Sequence, residues 1–481
     1  MITATTLVLG ERPLLPADIA AVARGRPVVL GEAGRTRMEA SHALLERLLA
    51  RGEPVYGLTT GVGALKTVRV ERSEQAEFQQ LVLRSHLMGH GELAPDEFVR
   101  AAMVVRAAGL AVGVSGCRPE VAEAFCRALD RPTPPSVHLI GSVGQADLSQ
   151  MAEIGLALVE DGLVLGPREG HAIVNSNAFS VGTACIALAH AGRALRAFDL
   201  AAATSLEALV GNVDAIHPAV GAVRPHPGAV ETIARLRELL DGGALLAGAR
   251  PPRFLQDPLA FKVIPQTHGA ARQALAHCEE ALETELASSG DSPIMVLAEE
   301  RAISTGNHDI SPVAIAVDYA RLGLAQAVTI SAERVQKLLT SGFSGLATGL
   351  RADALAPAEG LAEVGNAAAS LAGETRLLAH PVSLELPTSA IAEGVEGRIT
   401  MAPTGARRLH EMAGLALRLA AVELECAAQA IDLRGHAEDL GAGTRRAYEE
   451  VRRTVQFVGR GEAGPGDLDE LTEWLAHGDV P

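Results

Sequence analysis

Hydrophobic positions along this chain recur mostly at spacings of three and four residues, which is typical of helices with one buried face. Before residue 65 the pattern is mixed, because short apolar runs such as TLVL and PVVL alternate with turn residues around one predicted helix, about Arg35 to Arg51. The helical spacing then runs from Ser73 to Leu129, and another helix is predicted from about Ser149 to Val159. The first part of the chain therefore predicts helices joined by ordered loops.

Beyond Asn175 the chain is dominated by long stretches rich in alanine and leucine, each longer than a usual globular helix. Loops rich in proline and glycine, such as AVRPHPGAV, separate them. This order predicts a mainly α fold, a long-helix bundle that carries its functional site at one end. We divide the chain into a smaller N-terminal loop-and-helix region, 1–200, and a bundle with C-terminal helices, 201–481, and expect one continuous structural unit.

Composition narrows the class of protein. Aromatic residues are only 3% of the chain, so the core is built from small aliphatic side chains that let helices approach closely. A net charge of −16 argues against a nucleic-acid partner. The five cysteines show no C-x-x-C spacing, and neither a signal peptide nor an uncharged apolar run of spanning length is evident. We therefore expect a cytoplasmic protein without a membrane partner.

Candidate chemistry centres on a glycine-rich loop. Tyr56, one of three tyrosines, has glycines on both sides that let the backbone approach a ligand, although a packed ring with a satisfied hydroxyl is the alternative. The stretch GVGALK lacks the spacing of a phosphate loop. His86 and His90 have i,i+4 spacing that could hold a metal, but no acidic residue accompanies them and a helix end is favoured.

Taken in order, the loops resemble those of the histidine/phenylalanine ammonia-lyase family. YGLTTGVGALKT resembles the family's Y-G-x-N-T-G-F-G, and GPREGHAIVNSN resembles P-K-E-G-L-A-L-I-N-G-T. FLQDPLAFKVIPQTHGA resembles V-Q-D-x-Y-S-x-R-C-x-P-Q-V-x-G-A, and ISTGNHDISPVA stands where the family has S-G-G-N-F-H-G-x-P-V-A. The resemblance runs nearly end to end. It implies an ammonia-lyase/fumarase-like bundle, a small-molecule substrate, and a homotetramer whose active sites combine loops from different subunits.

One loop departs from this pattern at the point where the family makes its electrophile. Members form a methylidene-imidazolone (MIO) group from Ala-Ser-Gly within G-S-V-G-A-S-G-D-L, and here the text is GSVGQADL. Ala146 has no β-hydroxyl to lose, so we expect no MIO and no other cofactor. Ser288-Ser289-Gly290 reads like a displaced tripeptide, but coincidence is the favoured interpretation.

The resemblance also assigns candidate site residues. Tyr56 stands at the position of the family's general base, and His86 stands at a substrate-contacting position in histidine-specific members. Lys262 replaces an arginine that clamps the substrate carboxylate, and His308 stands where a phenylalanine lies by the electrophile. The remaining candidates are substrate-binding residues at motif-matched or altered positions: Asn175, Gln256, Glu393 and Gln145, whose amide could hydrogen-bond in place of the electrophile.

Ammonia elimination without an electrophile is disfavoured, because a tyrosine base alone supplies too little of the barrier reduction. The leading hypothesis is therefore an MIO-independent, lyase-like enzyme. In it Tyr56 acts as acid/base, with a cation such as Lys262 or His308 lowering its pKa. The reaction is an elimination, conjugate addition, isomerisation or cyclisation of a small carboxylate or thioester, free or carrier-linked. The alternatives are an inactive pseudoenzyme that binds or scaffolds and, less favoured, a conventional histidine or aromatic ammonia-lyase.

Overall fold

The computed structural model describes residues 6–355, 357, 360–384, 391–460, 462, 464 and 466–481. The described chain is mainly helical, as the hydrophobic spacing predicts. The helices up to residue 209 are α1 (Pro16–Ala23), α2 (Glu32–Ala50), α3 (Gln75–Ser85), α4 (Asp96–Ala111), α5 (Pro119–Leu129), α6 (Leu148–Glu160), α7 (Glu169–Val174) and α8 (Ala178–Leu209). The later helices are α9 (Pro218–Val223), α10 (Pro227–Leu239), α11 (Leu259–Lys262), α12 (Ile264–Leu286), α13 (Ser311–Leu339), α14 (Ser341–Ser344), α15 (Val364–Leu378), α16 (Ala402–Arg434), α17 (Ala442–Thr454) and α18 (Asp469–His477).

Short strands pair in twos and fix the ends of loops. The first pair is parallel, and the other two are antiparallel. With three or four residues each, these strands are too short to form a core of their own. The strands are β1 (Leu7–Leu9) with β2 (Val28–Leu30), β3 (His90–Leu93) with β4 (His138–Ile140), and β5 (Ile294–Val296) with β6 (Arg301–Ile303).

The helical spacing between residues 73 and 129 resolves into α3, α4 and α5 rather than one continuous helix. Gly91 and Gly113 adopt φ values of +79° and +81°, which interrupt the helical path. Pro119 then occupies the first turn of α5, where its missing N–H costs no hydrogen bond. Periodicity located the buried faces, and the glycines and proline set the breaks.

The chain forms two compact units, and each is assembled from three stretches. Unit 1 comprises 1–189, 278–318 and 381–407, and unit 2 comprises 190–277, 319–380 and 408–481. Four of the five unit boundaries therefore fall inside the long helices α8, α12, α13 and α16, and the boundary at 380/381 follows the end of α15.

Small residues let helices meet at close range within each unit. In unit 1 a Cβ on Gly182 of α8 would lie 2.7 Å from the carbonyl carbon of Ala101 in α4. In unit 2 Gly228 of α10 and Gly269 of α12 meet backbone to backbone. Side chains larger than hydrogen would separate these helices, so the alanine- and glycine-rich composition follows from the packing.

Two helical stretches, Glu169–Leu209 and Ser311–Leu339, are long and apolar enough to cross a membrane. Their most apolar windows are 94% and 67% buried inside the protein, which is typical of core helices. All five cysteines are free and buried: Cys117, Cys126, Cys185, Cys278 and Cys426.

Candidate active site

Tyr56 lies in an ordered loop of unit 1. The backbone N–H of Val55 donates to Thr59 Oγ1 (2.8 Å), and the N–H of Thr59 donates back to the Val55 carbonyl (2.9 Å). The half-buried tyrosine hydroxyl accepts a hydrogen bond from the N–H of Gly63 at 2.9 Å. Because the loop uses this oxygen as an acceptor, its own O–H remains available as a donor to a substrate.

His171 packs edge-on against the Tyr56 ring, with centroids 5.6 Å apart and planes at 86°. Gln79 connects the two elements, because its Oε1 accepts from the N–H of His171 (3.0 Å) and its Nε2 donates to the Gly57 carbonyl (3.1 Å). Burial, and next the charge of Arg168, lower the pKa of His171 to about 3. The imidazole beside the tyrosine is therefore neutral at physiological pH.

The pKa of Tyr56 is raised, mainly by burial; the hydrogen bond from Gly63 opposes the rise and the charge of Glu396 adds to it. This corrects the expectation that a cation such as Lys262 or His308 lowers the pKa of Tyr56. Among the described residues the charged group that acts on the tyrosine is the carboxylate of Glu396, which favours the protonated phenol. Tyr56 thus carries its proton at neutral pH.

That carboxylate, Glu396, lies three residues after the predicted Glu393. A Cβ on Gly63 would lie 3.4 Å from Glu396 Oε1, whereas Glu393 is exposed and adopts a left-handed φ of +57°. The downstream end of this segment is anchored, because the N–H of Met401 donates to the Val143 carbonyl at 2.9 Å. Counting back from that anchor, rather than forward through the longer GVEGR stretch, would have found Glu396.

The loop at 141–147 is closed by hydrogen bonds between its own residues. Ser142 Oγ donates to Asp147 Oδ1 at 2.7 Å, so the serine of the loop has a structural partner. Ala146 is buried and adopts a φ of +60°, a left-handed conformation that residues other than glycine seldom take. Gln145 and Ala146 themselves carry no hydroxyl group.

Asp147 fixes this loop to the beginning of α8. The carboxylate is fully buried and accepts from the N–H (2.7 Å) and the Oγ (2.8 Å) of Ser180, while the N–H of Asp147 donates to the Ser176 carbonyl (2.7 Å). Burial raises the pKa of Asp147, against the opposing hydrogen bonds from Ser180 and Ser142. The Asp-Leu that follows the altered pair therefore keeps the loop in place.

Two carboxamides bond to the consecutive residues 308 and 309. Gln145 Nε2 donates to Asp309 Oδ2 at 3.3 Å, and the two residues form an antiparallel bridge. Asn177 Nδ2 donates to the His308 carbonyl at 2.5 Å. Arg398 Nε also bonds to Asp309 Oδ2, at 3.2 Å. The structure thus brings the candidates Gln145 and His308 together and adds Asn177, which the sequence patterns did not single out.

Two other candidates in unit 1 have structural partners. Asn175 is buried, and its Nδ2 donates to the Ser292 carbonyl at 3.0 Å. His86 ends α3 half-buried, with Nδ1 2.6 Å from the Val82 carbonyl. Since a carbonyl only accepts, Nδ1 of His86 carries a proton.

Gln256 and Lys262 belong to unit 2, where Lys262 Nζ donates to Gln256 Oε1. A second contact orders the same stretch, since the N–H of Asn212 donates to Asp257 Oδ2 at 2.5 Å and its Nδ2 donates to the Leu255 carbonyl at 3.1 Å. The segment that follows α8 and the segment that leads into α11 are thereby joined. The glutamine orients the lysine, which offers a single point charge to a carboxylate.

The segment that resembles a displaced tripeptide contributes to a buried ionic network. Asp291 pairs with Arg106 (Oδ1 to Nη2, 3.0 Å) and accepts from Ser115 Oγ at 2.5 Å. Ser289 Oγ donates to Asp291 Oδ2 at 2.9 Å. Burial opposes ionisation of Asp291, but the charges of Arg106 and Arg168 outweigh it and lower its pKa. The hydroxyl of Ser289 is therefore a partner in this network.

Unit 1 thus holds a protonated tyrosine that contacts a neutral imidazole and feels the charge of a carboxylate, a combination suited to proton transfer. His171 was missed by motif reading. The signal was present, however, because the histidine of GPREGH stands where the family motif quoted above has leucine. A neutral imidazole in place of a leucine indicates that this position contacts different groups here than in the family motif.

Comparisons with known proteins assign the chain to one family. A family model described as aromatic amino acid lyase matches residues 14–164 and 160–453. A histidine ammonia-lyase of Gloeobacter violaceus is 33% identical over 98% of this chain and 96% of its own length.

Solved structures resemble the chain over nearly its whole length. The ergothioneine-degrading enzyme ergothionase from Treponema denticola, in complex with desmethyl-ergothioneine sulfonic acid, superposes with a TM-score of 0.91 at 27% identity, covering 98% of both chains. Tyrosine aminomutase from Streptomyces globisporus superposes with a TM-score of 0.90 at 25% identity, covering 98% of this chain and 97% of its own. Proteins of one fold and of similar sequence thus carry names for different reactions.

Proposed function

The chain belongs to the aromatic amino acid lyase family, and on that premise we propose that it is a lyase that works without MIO. In this proposal Tyr56 performs acid/base chemistry and a tertiary amine is eliminated from a small carboxylate. We further propose that it acts in the cytoplasm as a homotetramer whose sites are completed by loops of different subunits.

The Gln145-Ala146 pair carries this proposal. MIO formation needs a serine hydroxyl as leaving group and a following glycine whose nitrogen attacks the preceding carbonyl. Ala146 offers a buried methyl group, and the next residue is Asp147, whose carboxylate is bonded to Ser180. These residues do not fit the group, so no step of the reaction is assigned to it.

A lyase that lacks this electrophile needs a substrate with a better leaving group than ammonia. A quaternary ammonium leaves as a neutral tertiary amine, and it cannot be deprotonated into a poorer leaving group beforehand. Ergothioneine, the compound in the name of the Treponema denticola structure, is a betaine with such a quaternary nitrogen. The likeness supports betaines of aromatic or heteroaromatic amino acids as the substrate class, ahead of a thioester or carrier-linked compound.

The reaction then needs one proton transfer. The tyrosinate form of Tyr56 takes the β-proton, the C–H electrons form the Cα=Cβ bond, and the C–N electrons leave with the amine. Because burial and Glu396 raise the pKa of Tyr56, the base form becomes more populated as pH rises. Activity should therefore increase toward alkaline pH.

Lys262 and His171 have separate tasks in this scheme. Lys262, oriented by Gln256, supplies a cation for the substrate carboxylate. His171 holds the Tyr56 ring edge-on and, being neutral, leaves the charge of the tyrosinate undiminished. The carboxylate of Glu396 disfavours the tyrosinate, which strengthens it as a base once it forms.

The test is turnover of histidine betaine and ergothioneine, compared with free histidine, followed through the ultraviolet absorbance of the conjugated product. We expect turnover of a betaine, loss of that turnover in Tyr56→Phe with an unchanged oligomer mass by light scattering, and an intact mass that equals the sequence mass. Normal turnover by Tyr56→Phe would contradict the role of the tyrosine. A mass lower by two waters, together with ammonia release from histidine, would establish the conventional activity instead. Binding of the betaine without turnover by the wild-type protein would support the pseudoenzyme alternative.

A further inference from the structure

We propose that Gln145, Asn177 and His308 form a recognition site for a nitrogen group of the substrate that carries N–H bonds, either an ammonium or the N–H of a heteroaromatic ring. This inference names a binding determinant of the proposed lyase site. It rests on that function only for the identity of the ligand as a substrate. Because the quaternary nitrogen of a betaine has no N–H, a betaine substrate would fill this site with a ring N–H, and an ammonium ligand would point to a free amino acid instead.

The orientation of the Gln145 amide follows from its partner. Asp309 accepts hydrogen bonds from the N–H and the Oγ of Ser311, and its pKa is lowered, since those bonds and Arg398 outweigh the opposing effect of burial. An ionised carboxylate only accepts, so the Gln145 atom 3.3 Å from Asp309 Oδ2 is the amide nitrogen. Gln145 Oε1 therefore points elsewhere, and it is buried without a hydrogen-bond partner among the described residues.

Asn177 repeats this arrangement at the neighbouring residue, His308. Its Nδ2 donates to the backbone carbonyl of His308, an acceptor that fixes which amide atom is nitrogen. Asn177 is 5% exposed, and its Oδ1 is likewise buried with no partner in the described part of the chain. Both carboxamides thus have determined orientations, with their nitrogens on residues 308 and 309 and their oxygens without a partner among the described residues.

His308 adds a third buried polar atom that lacks a described partner, in this case a ring nitrogen. Its Nδ1 is buried and has no hydrogen-bond partner within the described ranges. Because Gln145 and Asn177 bond to 309 and 308 respectively, the three side chains are tied to two consecutive residues. Buried polar atoms in proteins are nearly always paired, so a group of three on one short stretch indicates a missing partner.

The chemistry of these atoms selects the partner. The two amide oxygens accept hydrogen bonds and cannot donate, so a carbonyl or carboxylate placed there would be repelled. An ammonium or a ring N–H is complementary, and a purely hydrocarbon ring would leave the oxygens unpaired. The loop therefore holds a nitrogen group through hydrogen bonds.

The experiment measures binding, so it does not depend on turnover. Calorimetric titration of the whole protein compares imidazole-4-propionate (ring N–H), L-phenylalanine (ammonium) and 3-phenylpropionate (neither). We expect at least one nitrogen probe to bind about tenfold more tightly than 3-phenylpropionate, and Gln145→Met and Asn177→Leu each to weaken that probe about tenfold, as loss of one hydrogen bond predicts. Whichever nitrogen probe responds identifies the source of the N–H group. Binding of 3-phenylpropionate should not change.

Gln150→Leu is the matched control. Its amide nitrogen donates to the His138 carbonyl at 3.2 Å and its Oε1 is also buried without a described partner, but it does not bond to residue 308 or 309. Thermal melting checks that each variant is folded. Equal affinity for all three probes, or unchanged affinity in both Gln145→Met and Asn177→Leu, would overturn the inference and indicate that water fills the positions. If the wild-type protein discriminates between the probes but turns over no betaine, the recognition site stands and the proposed reaction fails.

Discussion

Replacing Gly57 with alanine tests the contact between the tyrosine loop and α7. Gly57 adopts a φ of +70°, and an added Cβ would lie 2.8 Å from both Cγ and Cδ2 of His171. The left-handed conformation alone costs alanine about 1 kcal/mol. Carbon atoms in proteins prefer about 3.5–4.0 Å, so the overlap forces the ring or the loop to move, at about 1–3 kcal/mol more.

The expected loss of unfolding free energy in Gly57→Ala is therefore about 2–4 kcal/mol. Gly52→Ala is the matched control, because Gly52 has a φ of +71° with no atom within 4 Å of the added Cβ. Gly52→Ala should lose only the about 1 kcal/mol that the left-handed conformation costs alanine. In a His171→Ala background the overlapping ring is gone, so the cost of Gly57→Ala should fall to that of the control, a coupling of about 1–3 kcal/mol.

Urea unfolding at a fixed protein concentration measures all four variants, because subunit association would otherwise shift the midpoints. The reasoning would be refuted by equal destabilisation in Gly57→Ala and Gly52→Ala, or by additive effects in the double variant. In the double variant the clash is relieved, but turnover of a betaine should be restored only in part, because His171→Ala also removes the ring that holds Tyr56.

Three further variants test the charges described above. Burial raises the pKa of Glu425 from its ordinary 4.5 to about 7, so its contribution to stability is present below pH 4.5 and is lost as pH rises through 7. Over that range the unfolding free energy of Glu425→Gln, measured by urea unfolding, should fall less than that of wild type, by up to about 3 kcal/mol. The exposed Glu411→Gln should follow wild type. Asp291→Asn breaks a fully buried ion pair and should lower the unfolding free energy, measured in urea, by about 3–5 kcal/mol. The control Asp161→Asn, at a partly exposed ion pair, should lower it by under about 1 kcal/mol. Similar losses for the two variants would contradict the burial argument. Lys262→Met should raise the KM for a betaine carboxylate about tenfold with little change in kcat, and an equal effect on the corresponding amide would show that the lysine does not recognise the carboxylate.

Hydrophobic spacing predicted the long helices well, because each buries a continuous face. The predicted helix from Arg35 to Arg51 is observed at Glu32–Ala50, and the one from Ser149 to Val159 at Leu148–Glu160. The composition of the two units could not be predicted in the same way. Contacts between stretches far apart in the chain decide it, and periodicity describes only neighbours in sequence.

Motifs that fix both residue and spacing singled out Tyr56 and the altered loop, whose roles stay predictions. Where the chain changes length, the motif pointed to Glu393, whereas the carboxylate that acts on the pKa of Tyr56 is Glu396. The raised pKa of Tyr56 depends on burial and on a carboxylate that is distant in sequence. No local pattern reports either of them.

The hydrogen bonds of Asp147 bear on how this chain could change its chemistry. Substitution of Ala146 by serine would supply a hydroxyl, but the required glycine would then fall at Asp147. Removing that carboxylate would leave Ser180 and Ser142 without the acceptor that ties the loop to α8. A return to the family's electrophile therefore requires an insertion as well as substitutions, so single point mutations cannot restore it.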